Sequence, residues 1–388
     1  MTAVRTIDLK DVEAVADLTA RVFGKSGEYA EIYEMTKAAY GHCPYMKPEH
    51  CWVVDVDGRI VAKWQLLDLT LRVGSAEISV GGAQALAAEP DENGKGYPRL
   101  LVREGLPQAI AAGFDVLLGF AQRGAFYRRL GAVPVMAEYE LSLDPEKIPR
   151  LHDDPFEELR EENVDTIVDQ YNRSNARRTG TVVRTVEYWH WMVRRAPAVF
   201  TGPQGYFGVH FKGASLELRE VAGDTRAFCD LVLRKLGEMA RAEGCSRIRA
   251  CLPPDHPLAE VGQRYACEMQ VRYPDRSGCL ALMINAESFL RKIQPELERR
   301  LSGSRFGDAR VELRVGSDHS LRLNPGGTRR ATLDLDLRSA SLLQLAFGYR
   351  PVGVVLAQEG IRLDGFSRQL LEALFPQGHP FMWLSDRF

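Results

Sequence analysis

Two stretches decide how this chain is read: Glu92-Asn93-Gly94-Lys95-Gly96-Tyr97-Pro98-Arg99 and, after an intervening strand, Phe126-Tyr127-Arg128-Arg129-Leu130-Gly131-Ala132. Around them, Gly81 to Pro134 reads as strand, glycine bend, helix, strand and short helix. A bend that opens a helix directly after a strand gathers several backbone N–H groups at one point. There the helix dipole favours an anion. Lys95 and Arg99 flank the bend, so it is a candidate pyrophosphate site. A dinucleotide fingerprint would need G-x-G-x-x-G and an acidic residue about twenty positions on. Gly94-x-Gly96 is followed by Arg99 in place of a third glycine, which excludes it.

Upstream, Ala14, Val15, Leu18, Val22 and Phe23 recur at helical spacing and predict an amphipathic first helix. Asp57-Gly58 separates two apolar runs, Cys51 to Val56 and Arg59 to Trp64. That pair predicts a two-residue hairpin, because its turn needs positive φ at both central positions. Glu77 to Ala88 is a further strand, Tyr97 to Ala112 a helix, Asp115 to Phe120 a buried strand, and Ala125 to Leu130 a short helix stopped by Gly131.

Downstream, Leu143 to Pro155 is a polar, proline-bearing link and marks a boundary. The next region repeats the helix-then-strand rhythm, with a helix over Phe228 to Ala242 and a strand over Ile248 to Leu252. A third region opens with a helical stripe of Leu290, Ile293, Leu297 and Leu301, bent at Pro295. Leu333, Leu335 and Leu337 then alternate with Asp334, Asp336 and Arg338, the pattern of a half-buried strand. Two short helices, Ser339–Phe347 and Gly365–Phe375, close it. The expected architecture is mixed α+β in three units, residues 1–150, 151–284 and 285–388.

Composition narrows the function. With 50 Lys+Arg against 52 Asp+Glu, the net charge of −2 gives no bulk attraction to nucleic acid. No run of about 18 apolar residues is present to enter a membrane. The amino terminus mixes charges into its apolar positions, unlike a signal peptide, so the expected location is cytoplasmic. The seven cysteines form no C-x-x-C pair, and the histidines no H-x-x-x-H or H-E-x-x-H pair, so no metal is expected. G-x-S-x-G is absent too, which removes the hydrolase elbow.

The bend and the Phe126–Ala132 segment together resemble the GNAT superfamily of N-acetyltransferases. There a loop of pattern Gln/Arg-x-x-Gly-x-Gly/Ala precedes a later Phe-Tyr-x-x-x-Gly-Phe. Asn93 stands where that family carries Gln or Arg, and Pro98 where it carries a second small residue. A second GNAT-like region without a phosphate loop, followed by Asp334–Ser339, Leu345–Arg350, Leu374-Phe375-Pro376 and the ending Asp386-Arg387-Phe388, resembles the enhanced-intracellular-survival family. Its carboxy-terminal domain is similar to sterol carrier proteins.

The resemblance implies acetyl-CoA as co-substrate and a small-molecule or lysine-like primary amine as acceptor, joined by direct attack. It implies a homo-oligomer, a hexamer by the family's habit. It makes Tyr127 the acid that protonates the leaving thiolate and the carboxylate of Phe388 the base. Backbone groups of Leu86, Ala87 and Ala88 would polarise the thioester, and Asn93, Gly94, Lys95, Gly96, Tyr97, Pro98 and Arg99 would hold the coenzyme. Glu28, Glu31 and Glu34 are candidate carboxylates for a cationic amine. Two other readings stay open: a binding or sensing protein with a decayed coenzyme loop, and an acyltransferase for a longer acyl group.

Overall fold

The computed structural model describes residues 2–388 apart from 26, 93, 122, 123, 196, 197, 224, 275, 276, 317 and 325. The first part of the chain runs β1 (Thr2–Thr6), α1 (Val12–Phe23), α2 (Tyr29–His42), β2 (Met46–Val56), β3 (Arg59–Val73), β4 (Ala76–Ala88), α3 (Tyr97–Ala111), β5 (Val116–Ala121), α4 (Ala125–Arg129) and β6 (Val133–Pro134). The β2–β3 turn is the predicted hairpin: Asp57 and Gly58 have φ of 51° and 86°, and Val56 faces Arg59.

The second part runs β7 (Glu138–Leu143), β8 (Glu157–Glu158), α5 (Asp165–Asn175), α6 (Val186–Arg195), β9 (Ala198–Gly202), β10 (Gly205–Lys212), β11 (Ser215–Ala222), α7 (Arg226–Ala242), β12 (Arg247–Ala250), α8 (Pro257–Gly262), β13 (Glu268–Arg272) and β14 (Gly278–Met283). The third has α9 (Ala286–Ser302), β15 (Ala309–Val315), β16 (His319–Leu323), β17 (Arg329–Leu335), α10 (Ser339–Ala346), α11 (Val352–Glu359) and α12 (Gly365–Leu374). The helix over Val352–Glu359 was not expected. Val352, Val355 and Leu356 are buried while Val354 is exposed, so apolar residues surround it and no stripe marks it. α9 runs unbroken through Pro295.

Two seven-stranded sheets share one plan. Their orders are β1-β2-β3-β4-β5-β14-β6 and β13-β7-β12-β11-β10-β9-β8. In each, an antiparallel hairpin (β3–β4, β10–β11) leads through a helix (α3, α7) to a parallel neighbour (β5, β12). The sequence boundary near residue 150 does not divide the sheets. β7 precedes it yet pairs with β12 and β13, while β14 pairs with β5 and β6 across the far side of the second unit. The two sheets have in effect traded one strand each.

The cores follow from this. One face of the first sheet packs Trp52, Trp64 and Leu66 under Leu101, Val102 and Ala109 of α3. Its other face shares a single core with α1 and the third region, Leu69, Ile78 and Val80 meeting Phe289, Leu290 and Ile293 of α9. The third region's sheet, β16-β15-β17, buries Leu333 and Leu335 and exposes Asp334, as the alternation predicts; the strand ends at Leu335, and the alternation of burial runs on past it through the exposed Asp336 and buried Leu337. The last residues leave it. Phe381 and Trp383 join the second unit's core, and Trp383 donates to Asn175 at 3.0 Å.

Candidate active site

β4 and β5 pair in parallel only from Val80–Val116 to Gly82–Leu118, and then part. Beyond Gly82 no strand among the described residues pairs β4 on that side. On its other side β4 carries a bulge. Gln84 faces Gln65 and Ala87 faces Lys63, so two residues of β4 oppose Trp64, and Ala85 takes φ of 48°. An L-residue in the left-handed region inside a strand re-aims the backbone around it. Leu86, Ala87 and Ala88 follow directly and complete β4, with Ala87 facing Lys63 and Ala88 facing Ala62 on β3.

An apolar cleft of about 510 Å³ opens there, walled by Trp64, Val102, Leu117, Phe120, Leu282 and Tyr127. Tyr127 stands on α4, whose end is fixed by Gly131 at φ of 95° and by Ala132 N–H donating to the Tyr127 carbonyl at 3.1 Å. The ring is half-buried and meets Phe126 edge-on at 5.2 Å. Burial raises its pKa, so the hydroxyl holds its proton across neutral pH. The hydroxyl has no hydrogen-bond partner among the described residues.

The glycine bend lies where the sequence places it. Gly94 and Gly96 have φ of 88° and 78°, and Gly96 caps α3, with Tyr97 and Pro98 as its first residues. A Cβ at Gly94 or Gly96 would meet nothing within 4 Å, so the bend is open to a ligand. Pro98 brings no N–H, and the amides of Arg99 and Leu100 both donate to the Gly96 carbonyl. Lys95 differs from the expectation of a cation aimed at phosphate: its ammonium pairs with Glu92 at 2.6 Å. Arg99 is exposed. Asn93 lies outside the described residues.

A second cleft, of about 870 Å³, lies on the opposite face of β3 and β4, under α1 and α2. Phe388 lines it. The Phe388 ring meets Phe120, a wall of the first cleft, edge-on at 5.8 Å, and a Cβ at Gly82 would come within 2.8 Å of it. The chain end therefore arrives where β4 and β5 part, and the sequence-predicted Tyr127 and Phe388 border adjoining clefts.

What holds the end there is a buried ion cluster that sequence reasoning missed. Arg184 donates to both Asp386 oxygens at 2.9 Å and to Glu220 at 3.1 and 2.5 Å. The guanidinium lies 4.1 Å from the Tyr171 ring centre and 4.4 Å from that of Trp189. Burial disfavours charge on both carboxylates. At Glu220 the Arg184 charge and hydrogen bonds outweigh it and lower the pKa; at Asp386 burial prevails and raises it. No local pattern announces this cluster, since its members are far apart in sequence.

Lys63 was also missed. It is fully buried in the second cleft, with its ammonium donating to Thr19 at 2.8 Å, and burial lowers its pKa. A lysine inside the apolar run Ile60 to Trp64 was the available signal. Nearby, the Gln84 side-chain oxygen is buried without a partner. Of the three glutamates expected around the acceptor, Glu31 lines the adjoining recess, while Glu28 and Glu34 line neither cleft. Glu34 is exposed, on the solvent side of α2.

No described helix is long and apolar enough to cross a membrane. Residues 3–135 match the family model for an acetyltransferase (GNAT) domain. No curated protein sequence matches the chain. Among solved structures, the chain is similar to a GCN5-related N-acetyltransferase from Kribbella flavida, at 15% identity and TM-score 0.74, covering 100% of this chain and 98% of that one. It is similar to one from Anabaena variabilis at 14% identity and TM-score 0.74, over 100% of both chains. Eis1 from Mycobacterium abscessus matches at 16% identity and TM-score 0.66, again over 100% of both. Residues 3–135 thus match a GNAT acetyltransferase domain, and the whole chain shares its fold with these GCN5-related N-acetyltransferases.

Proposed function

We propose that this chain is an N-acetyltransferase that moves an acetyl group from acetyl-CoA to a primary amine by direct attack. The observation that carries the reading is the convergence at the parting of β4 and β5. Tyr127 borders the cleft on one side, Phe388 the cleft on the other, and the Ala85 bulge lies between.

The chemistry needed is modest. The amine nitrogen bonds to the thioester carbon, the C–S bond breaks, and one proton leaves the nitrogen while another reaches the sulfur. The α-carboxylate of Phe388, at the cleft that Leu69 lines, takes the first proton. Tyr127, kept protonated by burial, gives up the second. Amides from Leu86 to Ala88 donate to the carbonyl oxygen as it gains charge, and pair with the pantetheine arm. The Gly94–Gly96 bend supplies amides, and Arg99 a cation, for the diphosphate.

One observation favours a binding protein instead: Lys95 is tied to Glu92 and Pro98 withholds an amide, which weakens the phosphate site. Calorimetric titration of acetyl-CoA into the full chain separates the two readings. Micromolar binding, followed by amine-dependent release of free thiol, is the expected result. No heat at millimolar acetyl-CoA would sink the transferase.

A further inference from the structure

Of the carboxylates expected around a cationic amine, Glu31 lines the recess beside the cleft, while Glu28 and Glu34 line neither. Three cations, Lys63, Arg195 and Arg387, line the cleft that holds Phe388. None of the three has a carboxylate partner among the described residues. Arg195 is exposed and stacks on Trp191 at 4.5 Å. Arg387 is half-buried, donates to the Met382 carbonyl at 3.3 Å and to Cys251, and lies 5.1 Å from the Phe120 ring centre. The opposing charges are few. Asp386 is bound to Arg184, as is Glu220 in the adjoining recess, leaving the Phe388 carboxylate and Glu31. The remaining walls are apolar or aromatic, among them Met35, Leu67, Tyr45, Tyr188 and Trp191.

Guanidinium groups held on aromatic faces suit a planar carboxylate: Arg195 has no carboxylate partner among the described residues, and Arg387 meets only the Met382 carbonyl and the Cys251 sulfur. A polycation placed here would meet like charge and desolvate it. We propose, resting on the transferase reading above, that the acceptor is an amine on an apolar or aromatic body that also bears a carboxylate. Arg195 and Arg387 bind that carboxylate and so turn the amine toward Phe388 and the parting of β4 and β5.

The test uses the full chain with CoA present and three amines: phenylalanine, its uncharged-tail analogue phenylalaninamide, and spermidine. Binding is read by calorimetry, and thiol release with acetyl-CoA is read in parallel. Phenylalanine should bind about tenfold or more tightly than phenylalaninamide, the worth of a charge-assisted pair, and spermidine most weakly. The exposed substitution Arg195→Glu should erase or reverse that preference with the thermal melt unchanged, and Arg387→Ala should shrink it. Equal binding of the first two amines, no binding of either at millimolar ligand, or a preference for spermidine overturns the proposal. Charge discrimination without any thiol release would sink the transferase and leave the charge reading standing. Thiol release without charge discrimination would do the reverse.

Discussion

At the scale of single residues, Tyr127 carries the sharpest expectation. Tyr127→Phe removes one oxygen from a half-buried ring and keeps its packing. Turnover should fall by about a hundredfold, in the range of lost general-acid catalysis, while acetyl-CoA binding holds. Thiol release and calorimetry on the same preparation check both halves. The pH profile carries a sign: because burial raises the Tyr127 pKa, the acid is present at neutral pH and is lost only above the ordinary tyrosine range. Gly94 and Gly96 were legible because a turn there demands positive φ, while Tyr127 was singled out through the family resemblance of its segment. Lys63, Arg184, Arg195 and Arg387 were not. Each acquires its meaning from a partner, or from the absence of one, across distant segments, and no spacing records that.

At the scale of elements, one contact binds the third region to the first sheet and another binds the chain end to the second unit. Glu296 on α9 reaches the β3–β4 turn, accepting from Ser75 N–H at 3.1 Å and Ser75 O–H at 2.6 Å, with Arg299 and Arg300 beside it. Burial opposes its charge, but the Arg299 and Ser75 hydrogen bonds and the Arg300 charge prevail and hold the carboxyl at about 2 against 4.5 unfolded. A lowered carboxyl contributes its stability above the unfolded value and loses it as pH falls toward the folded one. Denaturant midpoints measured between pH 5 and 2 should therefore drop through that window, and Glu296→Gln should flatten the drop. The Arg184 cluster is the second contact. Arg184→Met leaves Asp386 and Glu220 buried without a counter-charge, a loss of about 3–5 kcal/mol. Urea melts should report it, and limited proteolysis should find the Phe381–Phe388 segment newly cleavable. Most elements were readable in advance, since α1, the Asp57-Gly58 hairpin, α7 and β17 each show a period or a turn pair. α11 was not, because its apolar residues include the exposed Val354 and so mark no single face.

For the whole molecule, the exchange of β7 and β14 governs what can stand alone. Residues 1–150 contain the bend, Tyr127 and the β4 bulge, yet lack β14, which pairs β5 along its full length from Val116 to Ala121. They also carry β7 without β12 or β13. Expressed alone, that fragment should give circular dichroism without a cooperative melt and should aggregate, whereas the full chain melts as one unit. A sharp reversible transition from the fragment would contradict this. The exchange was invisible in sequence for a simple reason: β7 and β14 are short strands, and nothing within them states which sheet receives them.

That exchange also sets a timetable in the cell. β5 is made early, and its neighbour β14 emerges only after the whole second unit. At roughly 5–20 residues per second, the stretch from Ala121 to Gly278 takes on the order of ten to thirty seconds to translate. Throughout that interval the nascent chain holds an open strand edge. Conditions that slow elongation lengthen that exposure, and those that shield nascent strands protect the yield. The yield of folded protein should therefore follow the pace of the ribosome that makes it.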